Sequence, residues 1–204
     1  HRNPAEFTLK TGHPTRGTVA LVVSGSMTLE FAHALMYVAD MDDMVDFYTN
    51  VLGFTVNDRD LIAGEGSPDI AFLSSDPNHH HQFAFLQIRK DSDASNNLGH
   101  LAFRVDSLAD VKGTIEALEA DGRATKLAPL THGNAWSIYF SDPEGNGIEI
   151  FCDTPFHVSQ PQATSWDPGM GEEELVAWTE ETFGDNGQFG PIGDFYASQQ
   201  ELMA

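Results

Sequence analysis

The chain has 204 residues, 41% of them hydrophobic, and a formal net charge of −21 from 31 acidic against 10 basic side chains. This length and apolar content suffice for one domain, or for two small modules around a shared core. The charge excludes nucleic acid and anionic membrane surfaces as partners, because both require positive patches. With one cysteine, Cys152, no intrachain disulfide can form, which fits a reducing cytoplasm. The apolar run Thr18–Val23 falls well short of the roughly 20 residues that span a bilayer. The first residue is His1, not Met, which leaves room for a targeting segment upstream.

Residues 1–27 are weakly patterned and read as an N-terminal arm, with Val19–Val23 as a short strand or a contact with a neighbouring subunit. Residues 28–90 read as a first module. A strand over Glu30–Val38 leads to a helix from about Met41 to Leu52, with Asp40 as N-cap and Asp42 and Asp43 in the first turn. Met41, Met44, Tyr48, Val51 and Leu52 form its apolar stripe, and Gly53 ends it. Phe54–Asp58, Ile70–Ser74 and Gln82–Ile88 follow as strands, giving βαβββ. Residues 91–97 are a polar linker. Residues 98–153 repeat the plan: a strand over Gly99–Val105, a helix from about Leu108 to Ala120, then strands over Thr125–Ala128, Trp136–Phe140 and one bearing Glu149. Ser107 caps that helix, with Asp110 three residues on; Leu108, Val111, Ile115 and Leu118 are its buried stripe, and Gly122 ends it. Residues 154–204 form a C-terminal extension, either a packing arm or a lid. Pro155, Pro161 and Pro168 make its start irregular, and helices are expected over Glu172–Phe183 and about Phe195–Met203.

Trp136 to Phe151 reads as strand, turn, strand, with Asp142-Pro143-Glu144-Gly145-Asn146-Gly147 as dense turn chemistry. Glu149 interrupts the apolar run Ile148–Phe151. Such a carboxylate either faces water or is paired inside, and a metal ion is a good partner. Cys152 is out of phase with Glu149 and reads as a small core residue. His33 and His100 each open an apolar strand at equivalent repeat positions: His33 aligns with His100, Val38 with Val105, Asp43 with Asp110 and Val51 with Leu118. A strand histidine is commonly structural. Two at one repeat position, with Glu149, suggest a two-His, one-carboxylate site, a ligand set that suits Fe(II) oxygenases. Asp76-Pro77-Asn78 presents His79, His80 and His81. His79 and His80 read as surface residues. His81 is in phase with Phe83 and Phe85, which would form an aromatic wall beside a ring-shaped ligand.

The residues His132, Ile138-Tyr139, Asp142-Pro143, Gly145 and Glu149 resemble the signature of the type I extradiol ring-cleaving dioxygenases, within the vicinal oxygen chelate superfamily. Leu130 departs from that signature, which prefers a smaller or polar residue there. The run His79-His80-His81 before an apolar strand is similar to a second family feature. The resemblance covers roughly residues 28–153. It implies an α+β fold in which two βαβββ modules form one cupped mixed sheet with helices outside. It further implies that His33, His100 and Glu149 bind Fe(II), with Mn(II) as the alternative. His81 would then be the acid–base residue, and His132 and Tyr139 would hydrogen-bond the bound oxygens. The implied partners are a catechol-type diol and O2; the protein is expected to be a cytoplasmic homo-oligomer. Two alternatives stay open: another metal-dependent member, such as a glyoxalase-like isomerase or epoxide-opening resistance enzyme, and a metal-free protein that sequesters an aromatic drug.

Overall fold

The computed structural model describes residues 31–90 and 98–203. The arm expected over residues 1–27 and the linker 91–97 lie outside the described residues. The chain divides after Ala32, and all that follows belongs to the unit beginning at His33.

The first module runs β1 (Ala34–Val38), α1 (Met41–Asn50), β2 (Thr55–Leu61), β3 (Asp69–Ser74) and β4 (Phe83–Gln87). The second runs β5 (Leu101–Arg104), α2 (Leu108–Asp121), β6 (Thr125–Thr131), β7 (Ala135–Ser141) and β8 (Gly147–Asp153). The C-terminal segment adds β9 (Phe156–His157), β10 (Thr164–Ser165), α3 (Glu172–Phe183), β11 (Gly190–Pro191) and α4 (Ile192–Met203). The strand orders are β1-β4-β3-β2 and β5-β8-β7-β6, with β10 continuing the second at the β6 edge. In each module the first strand lies parallel to the last. The α+β class and both βαβββ modules are as expected. The ladder hydrogen bonds divide the module strands into two mixed sheets, because among the described residues β1 and β5 pair only within their own module; β9 and β11 form a separate antiparallel pair.

Local chemistry fixes the helices. Asp40 accepts a hydrogen bond from the Asp43 amide, and Ser107 from that of Asp110; each cap contributes about 1 kcal/mol. Helix α1 buries Met41, Met44, Phe47 and Tyr48, and α2 buries Leu108, Val111, Ile115 and Leu118. Each such side chain stabilises the fold by roughly 1.5–3 kcal/mol at most.

The modules share one core. Phe103 meets Phe54 and Phe83 at ring separations of 5.4 and 6.1 Å. The turn after β7 docks on the start of α1: Glu144 Oε1 accepts the amides of Ala39 and Asp40 at 2.7 and 2.8 Å, beside Arg89. A carboxylate there also meets the positive end of the helix dipole. Tyr48 donates its hydroxyl proton to buried Asp142 at 3.2 Å. Burial pushes the Asp142 carboxyl up, although Tyr48, Asn146 and the Glu144 amide all donate to it. Arg123 joins the modules again through Asp43 and Asp46 of α1, each at 2.8 Å.

The C-terminal segment packs on the second module. Trp166 donates to the Ser137 carbonyl and Trp136 to Thr179 of α3, both at 3.0 Å. Among the described residues no helix is long and apolar enough to cross a membrane.

Candidate active site

The parallel pairing of β5 with β8 sets Ala102 opposite Glu149. His100 lies two residues before Ala102, so strand alternation puts it on the same face. His100 Nε2 stands 3.2 Å from Glu149 Oε2. Glu149 is buried, and Ser137 donates to its other oxygen at 2.6 Å. Tyr139 is directly opposite Glu149 on β7. Its hydroxyl is 2.9 Å from His132 Nε2, and its ring meets His100 edge-on at 5.2 Å. Burial first, then the neighbouring Glu149 carboxylate, push the Tyr139 hydroxyl above its ordinary range. Tyr139 therefore keeps its proton through neutral pH.

Gly147 makes this arrangement possible. A Cβ there would come 2.4 Å from the Gly99 carbonyl oxygen and 3.3 Å from His100 Cβ. The close approach of the two strands beside His100 thus needs a glycine.

The first module carries a second cluster. His33, at the entry to β1, lies 4.4 Å ring to ring from His81. His81 also meets Phe72 edge-on at 5.0 Å. His80 Nδ1 is 2.9 Å from His81 Nδ1, and His80 Nε2 is 2.7 Å from Asp58 Oδ2. A carboxylate only accepts, so His80 donates from Nε2 to Asp58. The two facing Nδ1 atoms share one proton between them. Desolvation, followed by His33 and His80, holds the His81 imidazole below its ordinary pKa. His79 pairs with Asp76 at 2.9 Å; His79 and His80 are exposed, as expected.

One expectation fails. Phe83 and Phe85 form no wall beside His81; both are buried against Tyr48, at ring separations of 5.4 and 4.9 Å. The reason is local. The strand starts at Phe83 and a bend at Gln82 intervenes, so alternation does not carry from His81 into the strand. Phe72 takes that place. Its signal was in the sequence, since Phe72 alternates with Ala71 and Leu73, both fully buried. Ser137 and Glu144 also went unrecognised; nothing local distinguishes them from ordinary strand and turn residues. Phe156 and His157 stand apart, stacked on Phe189 and Phe195. Cys152 is in the core, and burial raises its thiol to about 11.

The donor chemistry fits a divalent cation. Two imidazoles and a carboxylate are the expected ligands, and His100 and Glu149 already face each other across a buried oxygen. His33 occupies the matching position of the first module, against His81. Among the described residues no three His, Cys, Asp or Glu side chains converge on one ion-sized point.

Two strands led by histidine, a facing carboxylate and paired βαβββ modules define a class. Residues 30–150, more than half the chain, match the Glyoxalase/Bleomycin resistance protein/Dioxygenase superfamily, and the chain belongs to it. Within it the chain is 27% identical over 169 residues to a biphenyl-2,3-diol 1,2-dioxygenase of Rhodococcus globerulus, covering 74% of this chain and 84% of that protein. It is 25% identical over 146 residues to a metapyrocatechase of a Pseudomonas species, covering 71% of this chain but 46% of that longer protein. A probable lactoylglutathione lyase of Vibrio cholerae is 28% identical over 132 residues, 62% of this chain and 92% of that one. The fold matches a superfamily domain from Frankia, with TM-score 0.51 at 20% identity, over 63% of this chain and 99% of that one. It also matches a fosfomycin resistance protein of Listeria monocytogenes solved with Mn(II), with TM-score 0.50 at 19% identity, over 62% and 93%.

Proposed function

We propose that the protein is an Fe(II)-dependent extradiol dioxygenase, opening a catechol-type ring beside its two hydroxyls with O2. His33, His100 and Glu149 would hold the metal, with Mn(II) as the alternative. The observation that carries this reading is the polar cluster of the second module: buried Glu149 paired with His100, beside the hydrogen-bonded pair His132–Tyr139. The dioxygenase relatives support it. Glyoxalase-type isomerisation and simple sequestration have no evident need for that whole set.

When bound, the metal supplies a centre that chelates the ionised diol and brings it together with dioxygen. The protein's own groups do the rest. His81, whose pKa is held below its ordinary value, takes a proton from the diol and returns it later as an acid; the lowered pKa suits the first role at neutral pH. Tyr139 keeps its proton, which faces His132 Nε2 at rest, and can turn it to a developing negative oxygen once the diol is bound. His132 holds the Tyr139 hydroxyl in place. Phe72 offers an apolar edge beside His81, suited to a ring.

The test is a set of diols (catechol, 3- and 4-substituted catechols and a biphenyl diol) given to anaerobically Fe(II)-loaded protein, then air. A yellow ring-opened product with one O2 consumed per ring is expected. Oxygen uptake without ring opening, or no reaction with any diol, would overturn the assignment and favour the isomerase or sequestering alternatives.

A further inference from the structure

His132 is held on two sides by a segment about thirty residues further along the chain. Its Nδ1 contacts the Gln162 carbonyl oxygen. A carbonyl only accepts, so Nδ1 bears the proton and, in the neutral ring, Nε2 is an acceptor. That Nε2 faces the Tyr139 hydroxyl at 2.9 Å. One side chain braces this geometry from both ends. Gln160 Nε2 donates to the main-chain carbonyl of His132 at 2.8 Å, and Gln160 Oε1 accepts the Gln162 amide at 3.0 Å. Gln160 Nε2 also reaches the Val158 carbonyl at 3.2 Å. The next residue shows how tightly the two segments meet. Gly133 has φ +81°, and a Cβ there would lie 2.4 Å from Val158 Cγ1.

Resting on the functional reading above, we propose that Gln160 is a positioning residue that fixes the tautomer of His132 and, through it, the direction of the Tyr139 proton. Tyr139 has one proton and two acceptors in its surroundings, His132 Nε2 at 2.9 Å and the carboxylate of Glu149, directly opposite on the neighbouring strand. While His132 is held with Nε2 bare, it draws the phenol proton and leaves Glu149 free to bind a cation. If the brace is lost, His132 can turn or take the other tautomer. Nε2–H then donates to the Tyr139 oxygen, and the phenol proton swings to Glu149, where it competes with the metal. The C-terminal segment thus acts on the site through the hydrogen bonds that hold His132.

The variants are Gln160→Ala and Gln160→Met; the second keeps the side chain's length and removes its hydrogen bonds. The first readout is the ¹⁵N spectrum of His132 in the full metal-free chain. Wild type should show the Nδ1–H tautomer alone, and both variants a mixture. The second is Fe(II) affinity, expected to fall in both, by less than the about 10–100-fold cost of losing a group bonded directly to a ligand. Restoration by Met would reduce Gln160 to packing and overturn the proposal, as would an unchanged tautomer and affinity in both variants. If the wild type opens no diol, the functional reading fails, while the tautomer measurement still decides the role of Gln160.

Discussion

The two modules share a backbone plan and divide its chemistry. In the first, β1 pairs with β4 so that Leu35 faces Ala84, and β3 sets Phe72 against Ala84. In the second, Ala102 faces Glu149, and β7 sets Tyr139 against Glu149. Position for position, Ile70, Phe72 and Ala84 correspond to Ser137, Tyr139 and Glu149. Both modules open with a histidine, His33 or His100. The first lines its face with apolar side chains; the second lines it with a hydroxyl, a phenol and a carboxylate. A duplicated scaffold therefore presents similar strand positions twice, and three substitutions decide which copy can hold charge. The residue beside each histidine differs for the same reason: Gly147 lets β8 approach His100, while Gln82 stands at the matching place in the first module.

Exchanging the carboxylate tests this division most severely. Glu149→Ala should lower metal affinity by more than about 100-fold, beyond the range for an outer partner, as read by metal titration. The reciprocal Ala84→Glu puts an unpaired carboxylate at a site 1% exposed and should cost about 3–5 kcal/mol of stability, read by denaturant unfolding. Equal metal binding by both variants would erase the distinction between the modules.

His81 tests the first module's contribution. His81→Asn should retain metal and diol binding while turnover falls about 10²–10⁴-fold. Since the folded pKa of His81 is lowered, its neutral base form persists to lower pH than that of a free imidazole. The acid limb of its activity should therefore lie below about pH 6.5. An acid limb above that value, or unchanged turnover in the variant, would return His81 to the surface loop.

A milder test uses the neighbours of the two histidines. Gly147→Ala forces a shift beside His100 and should weaken metal binding about 10–100-fold. Gln82→Ala, which removes only acceptor bonds from Ser74 and Ser75, should leave it unchanged. The smallest expected effect is at Cys152. With its thiol at about 11, only about one molecule in a thousand is thiolate at pH 8. Labelling should be slow in the folded protein and rapid once unfolded; rapid labelling of the native chain would show that this strand is not packed as described.

Much of the fold was legible because its signals are local. Caps at Asp40 and Ser107, the stripe of α2 and both ends of α3 follow from residues within one or two turns. The histidine-led repeat showed in the alignment of two short segments. The face of β4 was misread because its alternation was carried through the bend at Gln82. The grip on His132 left no mark in the sequence, since Gln160 and Gln162 meet it only after β10 pairs with β6. Glu144 looked like turn chemistry, yet it ties the second module to the start of α1.

The central claim is that one metal joins the two unlike modules. Anomalous diffraction at the iron edge from Fe(II)-loaded crystals tests it directly. The account predicts one peak, with His33, His100 and Glu149 at roughly 2.0–2.2 Å, a distance borrowed from nitrogen and oxygen ligands of zinc. A peak held instead by His79 and His80, or none near Glu149, would contradict it.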